Sequence, residues 1–70
     1  MQQVQSLVRA LSILNALAES EDGMTLTEIS HQVKLPPSTA HRLLTTMQHE
    51  RYVSFEGERT LWFVGVQAFS

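Results

Sequence analysis

The chain has no cysteine, two prolines, three glycines and five lysines and arginines among its 70 residues. Without cysteine it can form no disulfide and no thiolate zinc site. No apolar run approaches the roughly 18 residues of a membrane span, and Met1 opens on Gln2-Gln3, unlike a secretory signal. Repeats and low-complexity tracts are absent. A soluble, cytoplasmic protein without membrane contact is expected. A domain of this length buries only about 60% of the surface its unfolded chain exposes. That is enough for a small core but not for a deep, walled pocket, so an autonomous enzyme is not expected, nor is a cofactor or metal.

What is present suits one folded domain: 43% of the residues are hydrophobic and 17% charged. The net charge of −2 and the pI of about 5.8 are the reverse of the basic balance common in nucleic-acid binders. The charges are unevenly spread. Glu19, Glu21, Asp22 and Glu28 supply four of the seven acids. From His31 to Arg51 the chain carries Lys34, Arg42 and Arg51 against Glu50 alone, together with all three histidines, so this stretch is basic in an acidic protein.

A first helix is expected over Gln5 to Glu19. Leu7, Leu11, Leu14 and Ala18 recur at i, i+4, i+7 and i+11, with Ala10 and Leu17 beside them and Arg9, Ser12 and Asn15 on a polar side. Ile13 extends the apolar surface past one stripe; the blander reading is a well-buried first helix, and the sharper one is a helix shared between this domain's core and a second subunit through Leu7, Ala10, Ile13 and Leu17. Gly23 marks a loop. Thr25 followed by Glu28 is a capping box that opens a second helix, whose Leu26, Ile29 and Val33 form one narrow buried stripe. That helix should end near Lys34, with Leu35 tucked into the core. Pro36-Pro37 cannot continue it, but a proline suits the first turn of the next helix.

The third helix is expected over 37–51. Leu43, Leu44 and Met47 fall within about 60° of Ala40, while Ser38, Arg42, Thr45 and His49 cluster on the opposite side, flanked by Thr39, His41 and Thr46. An ordinary solvated face mixes glutamate with lysine. This one carries hydroxyls, one guanidinium and imidazoles, with no carboxylate before Glu50. The blander reading makes Ser38 and Thr39 helix caps, Arg42 a solvated side chain, and His41 and His49 surface polar groups. Beyond the helix, Tyr52, Val53 and Phe55, the turn Glu56-Gly57-Glu58, and Leu61-Trp62-Phe63-Val64 predict a hairpin with Trp62 and Val64 on the core side. Glu50, Glu56 and Glu58 flank turns and read as solvated charges.

The fold class expected is mainly α with a small β-hairpin: three helices and a two-stranded wing, the winged helix-turn-helix plan. A helix 10–12 Å across enters a major groove about 12 Å wide, and an arginine there can contact guanine O6 and N7 together. The third helix would read the major groove, with the wing over 52–64, Arg59 and Thr60 at its tip, on the backbone or in the minor groove.

Gln5-Ser6-Leu7, Leu26-Thr27-Glu28-Ile29 and above all Leu35-Pro36-Pro37-Ser38-Thr39-Ala40-His41-Arg42-Leu43-Leu44-Thr45-Thr46-Met47 resemble the DNA-binding domain of the IclR family. These are bacterial transcription regulators named after the isocitrate lyase regulator, the repressor of the glyoxylate bypass. The resemblance covers nearly the whole chain. It implies a winged helix domain over 1–66 and the start of a linker helix at 67–70, leading to an effector domain that binds a small molecule outside this chain. It also implies a homodimer or tetramer on double-stranded DNA with a palindromic operator, with nucleoid association when bound. Ser38, Thr39, His41, Arg42, Thr45, Arg59 and Thr60 would then face DNA. Two residues depart from the family pattern. Lys34 stands where glycine is usual, at about 1 kcal/mol or more if its φ is positive, and Glu56 and Glu58 make the wing more acidic than phosphate tracking favours. The alternative is a winged helix serving as a protein-interaction or dimerisation module, which the net charge and the broad apolar surface of the first helix favour.

Overall fold

The computed structural model describes residues 2–65, in the order α1 (Gln5–Glu19), α2 (Leu26–Val33), α3 (Pro37–His49), β1 (Val53–Glu56) and β2 (Leu61–Val64). This is the three-helix, two-stranded winged helix plan. The expected linker helix at 67–70 lies outside the described residues. β1 and β2 pair antiparallel, Val53 opposite Val64 and Phe55 opposite Trp62.

The core joins Ile13, Ala16 and Leu17 of α1 to Ile29 of α2, Ala40 and Leu44 of α3, and Val53 and Trp62 of the hairpin. This corrects the expected phase of α1. Ile13 is 0% exposed and Leu17 2%, whereas Leu7 and Leu11 are 56% and 50% exposed. The helix is apolar around most of its circumference, so periodicity alone left its rotation open. The neighbours chose the Ile13 arc over the Leu7-Leu11-Ala18 arc, about 140° away. Ile13 and Leu17 are therefore occupied by this domain's own core and offer nothing to a second subunit. Leu7 remains exposed and Ala10 half-buried.

The capping box of α2 forms as the sequence predicts. The Glu28 amide donates to Thr25 Oγ1 at 3.2 Å, and the Thr25 amide donates to Glu28 Oε1 at 2.9 Å. At the other end Lys34 takes φ 59° and ψ 46°, and its amide and that of Leu35 both donate to the Ser30 carbonyl. This left-handed closure turns the chain into α3 while Leu35 packs on the core. It puts a lysine in a conformation that costs an L-residue roughly 1 kcal/mol. α3 stops at His49, short of the expected Arg51. The amides of Arg51 and Tyr52 fold back onto the carbonyls of Gln48 and Met47, and Arg51 sits at φ 69°.

Met24 was not foreseen as a sheet residue. Its amide donates to the Trp62 carbonyl at 3.0 Å and its carbonyl accepts from the Trp62 amide at 2.8 Å, making a one-residue third strand. This ties the loop before α2 to the wing. Gly23 precedes it at φ 80°, where a Cβ would also come within 2.6 Å of the Phe63 ring. Gly65 closes the hairpin against the turn that follows α3: its amide donates to the Tyr52 carbonyl, and a Cβ would meet the Arg51 carbonyl oxygen at 2.6 Å.

Candidate nucleic-acid interface

α3 begins with Pro36 as N-cap and Pro37 in the first turn, and no side chain caps it. Ser38 and Thr39 are thus not caps, contrary to the blander expectation. The amides at the start of a helix lack intrahelical acceptors, so this end offers donors outward beside two hydroxyls. One turn on, Arg42 is exposed, and no carboxylate lies three or four residues from it in either direction. Among the described residues it makes no ion pair.

Thr45 and Thr46 both donate their hydroxyl hydrogens to the Arg42 carbonyl, each at 3.0 Å. Their donors are spent on the helix, so what they offer outward is a methyl group and oxygen lone pairs. The face thus sorts its chemistry. Ser38 and Arg42 can donate, whereas Thr45 can accept or make apolar contact.

Two clefts flank α3, and Thr45 lines both. The one toward the wing, about 410 Å³, is bounded by Thr27, His41, Phe55, Thr60 and Trp62. Its floor is aromatic: Phe55 packs on Trp62 at 4.6 Å between ring centres, and His41 stands edge-on to Trp62 at 6.3 Å and 82°. The cleft on the other side, about 370 Å³, lies between α3 and the first turns of α1 and contains both Arg9 and Arg42. His41 and Arg42, adjacent in sequence, therefore open to opposite sides of the helix.

The structure separates the two expected wing-tip residues. Thr60 lines the cleft beside α3 at φ 53°, a left-handed conformation unusual for a β-branched residue. Arg59 does not line that cleft. Its amide and Nε both donate to Glu56 Oε2, at 2.8 and 3.3 Å. The Arg59 backbone amide, foremost, holds the Glu56 carboxyl below the ordinary carboxylate range; desolvation opposes it, and the Arg59 guanidinium adds to the lowering. Glu56 is therefore the wing's internal anchor and not merely a solvated charge. It also neutralises the cation that was expected to face outward. His49 points along the surface to Glu50, Nδ1 to Oε2 at 3.2 Å.

Sequence reasoning missed Arg9, Thr27 and Phe55 as lining residues. Arg9 precedes Ile13 by four positions, so it extends the true core stripe beyond the core's edge. The correct phase of α1 would have placed it beside α3.

The model of the IclR helix-turn-helix domain matches residues 6–57. The chain is 52% identical over 67 residues to the acetate operon repressor of Salmonella typhimurium, covering 96% of this chain and 24% of that protein. It is 51% identical over 67 residues to the transcriptional repressor IclR of Escherichia coli, with the same coverage. The crystal structure of an IclR transcriptional regulator from Alicyclobacillus acidocaldarius superposes with a TM-score of 0.88 at 28% identity, covering 96% of this chain and 27% of that one. The chain spans about a quarter of the length of these relatives. With the matched helix-turn-helix segment, the identities and the shared fold in agreement, the chain belongs to the IclR family.

Proposed function

We propose that this chain is the DNA-reading domain of a bacterial, metabolite-responsive transcription regulator, acting as a repressor. The observation that carries the proposal is the exposed face of α3, where Ser38, Arg42 and Thr45 stand together without a carboxylate and Arg42 makes no ion pair among the described residues. The two similar proteins are named as repressors, which adds support. In this role α3 lies in the major groove, with the amides and hydroxyls of its first turn on phosphate. Arg42 donates to guanine, and Thr45 meets a thymine methyl or a base amino group. His41 and Thr60 approach the backbone across the wing cleft, and Arg59 contributes less because Glu56 holds it.

The domain works without catalysis or a cofactor of its own, in the cytoplasm and on the nucleoid when bound. Residues 67–70 lead toward a linker, and the effector is sensed by a domain beyond them. A palindromic operator follows if two copies pair. Pairing through α1 would use Leu7 with Val4, Val8 and Leu11, which are exposed, with Ala10 at the edge. That same surface supports the second reading, an interaction module without DNA.

The two readings part on one variant. A duplex enriched from a randomised pool should bind Arg42→Ala about 1–3 kcal/mol more weakly than the unmodified chain, with relaxed preference at one base position. Unchanged affinity and preference would refute the assignment of α3 as the reading helix.

A further inference from the structure

On α1 the face that buries Ile13, Ala16 and Leu17 continues toward the N-terminus through Arg9 and Ser6, which sit four and seven positions before Ile13. Both are exposed at the end of that face. They line the cleft of about 370 Å³ together with Thr39, Arg42, Leu43 and Thr46 of α3. The helix face that is apolar in the core therefore carries a guanidinium beyond the core's edge, in a cleft it shares with a second guanidinium on the neighbouring helix.

Among the described residues no acid compensates the pair. Arg9 has Gln5, Ser6, Ser12 and Ile13 at three and four residues' distance, and Arg42 has Ser38, Thr39, Thr45 and Thr46. Neither makes an ion pair among the described residues. Glu19, the acid of α1, lines a different cleft with Lys34 at the far end of the helix, about ten residues or 15 Å away. Two like charges converging on one open volume repel each other unless an anion lies between them. Arginine suits a phosphate because its planar fork presents paired donors. The cleft also opens beside the same α3 face that is to enter the groove, where a duplex brings its backbone.

We propose that the α1–α3 cleft is a phosphate clamp in which Arg9, assisted by Ser6, holds one backbone phosphate of the bound duplex and so sets the register of α3. The inference rests on the DNA-reading assignment. Arg9 is a positioning residue in it, because a phosphate contact carries no sequence information and fixes where Arg42 falls.

The test is a fluorescence anisotropy titration of the enriched duplex and of a scrambled duplex over a range of salt concentrations. It uses the unmodified chain, Arg9→Gln and Arg9→Lys, each first shown to be folded by circular dichroism. Arg9→Gln should weaken both duplexes alike, about three- to tenfold, and reduce the slope of log affinity against log salt by about one. Arg9→Lys should keep most of that slope. A scan of single neutral methylphosphonates should find one position that weakens the unmodified chain and leaves Arg9→Gln unaffected. A salt slope unchanged in Arg9→Gln, or no such position, while the unmodified chain binds with steep salt dependence, would overturn the clamp and leave the DNA-reading assignment intact. If the unmodified chain shows no salt-dependent binding to either duplex, both fall together.

Discussion

Two helix faces stay in solvent in this domain, and they differ in kind. The outer face of α1 presents Val4, Leu7, Val8 and Leu11, all apolar and exposed. The outer face of α3 presents Ser38, Arg42, Thr45 and His49, with no large apolar side chain. Neither resembles an ordinary solvated helix, where carboxylates and ammonium groups alternate and pair. An apolar face left in water costs about 25 cal/mol for each Å² that a partner could cover, so the α1 face has the chemistry of protein contact. A face of donors, hydroxyls and one guanidinium, unpaired among the described residues, has little to gain from an apolar partner and much from a polyanion. The contrast fits the proposed division of one small domain's two surfaces between two classes of partner. It also bears on how a chain of net charge −2 can suit DNA: Glu19, Glu21 and Asp22 lie at the far end of α1 and in the loop after it, Glu28 is on α2, Glu50, Glu56 and Glu58 follow α3, and α3 itself carries no acid.

The comparison is broken most severely inside α1. Ile13→Ala removes a fully buried side chain and should cost about 2–5 kcal/mol of stability in urea denaturation, whereas Leu11→Ala, half exposed, should change it by less than about 0.5 kcal/mol. Equal effects would mean that the helix is rotated from the observed phase. On α3 the order reverses. Arg42→Ala should leave unfolding within about 0.5 kcal/mol of the unmodified chain while losing duplex affinity by the 1–3 kcal/mol given above. A matching loss of stability would make Arg42 structural. Smaller, and opposite in sign, is Lys34→Gly. Relief of the left-handed conformation should raise stability by up to about 1 kcal/mol, less the entropy glycine adds to the unfolded chain. A loss on denaturation would show that the lysine side chain contributes more than its backbone strain costs.

Much of the scaffold was legible because local rules agreed. Thr25 and Glu28 announced their capping box, Pro37 the start of α3, and the alternation around Trp62 the core side of the wing. The phase of α1 was not legible. Ile13, Leu14 and Leu17 compete with Leu7 and Leu11 around a helix with a broad apolar surface, and only the packing of α2, α3 and Trp62 decides between the two arcs. Arg9 is exposed, as the polar side of the helix predicts, but its place in a cleft with Arg42 depends on the phase and was not legible. Met24 was invisible because a one-residue strand has no period. The hold of Glu56 on Arg59 was open to the spacing, three residues apart across a turn, but which of the wing's two glutamates would fold back depended on the backbone of the turn. The α3 face was the most readable part of the site, because the absence of carboxylate along it is a property of sequence alone.

The most direct measurement is selection from a randomised duplex pool, followed by anisotropy titration of the enriched duplex at two salt concentrations with the folded, unmodified chain. The account predicts a consensus that recurs across the selected duplexes and an affinity that falls steeply as salt rises, because counterions are released from every phosphate the α3 face and its flanking clefts engage. No enrichment, or an affinity indifferent to salt, would contradict it and leave the apolar face of α1 as the domain's working surface.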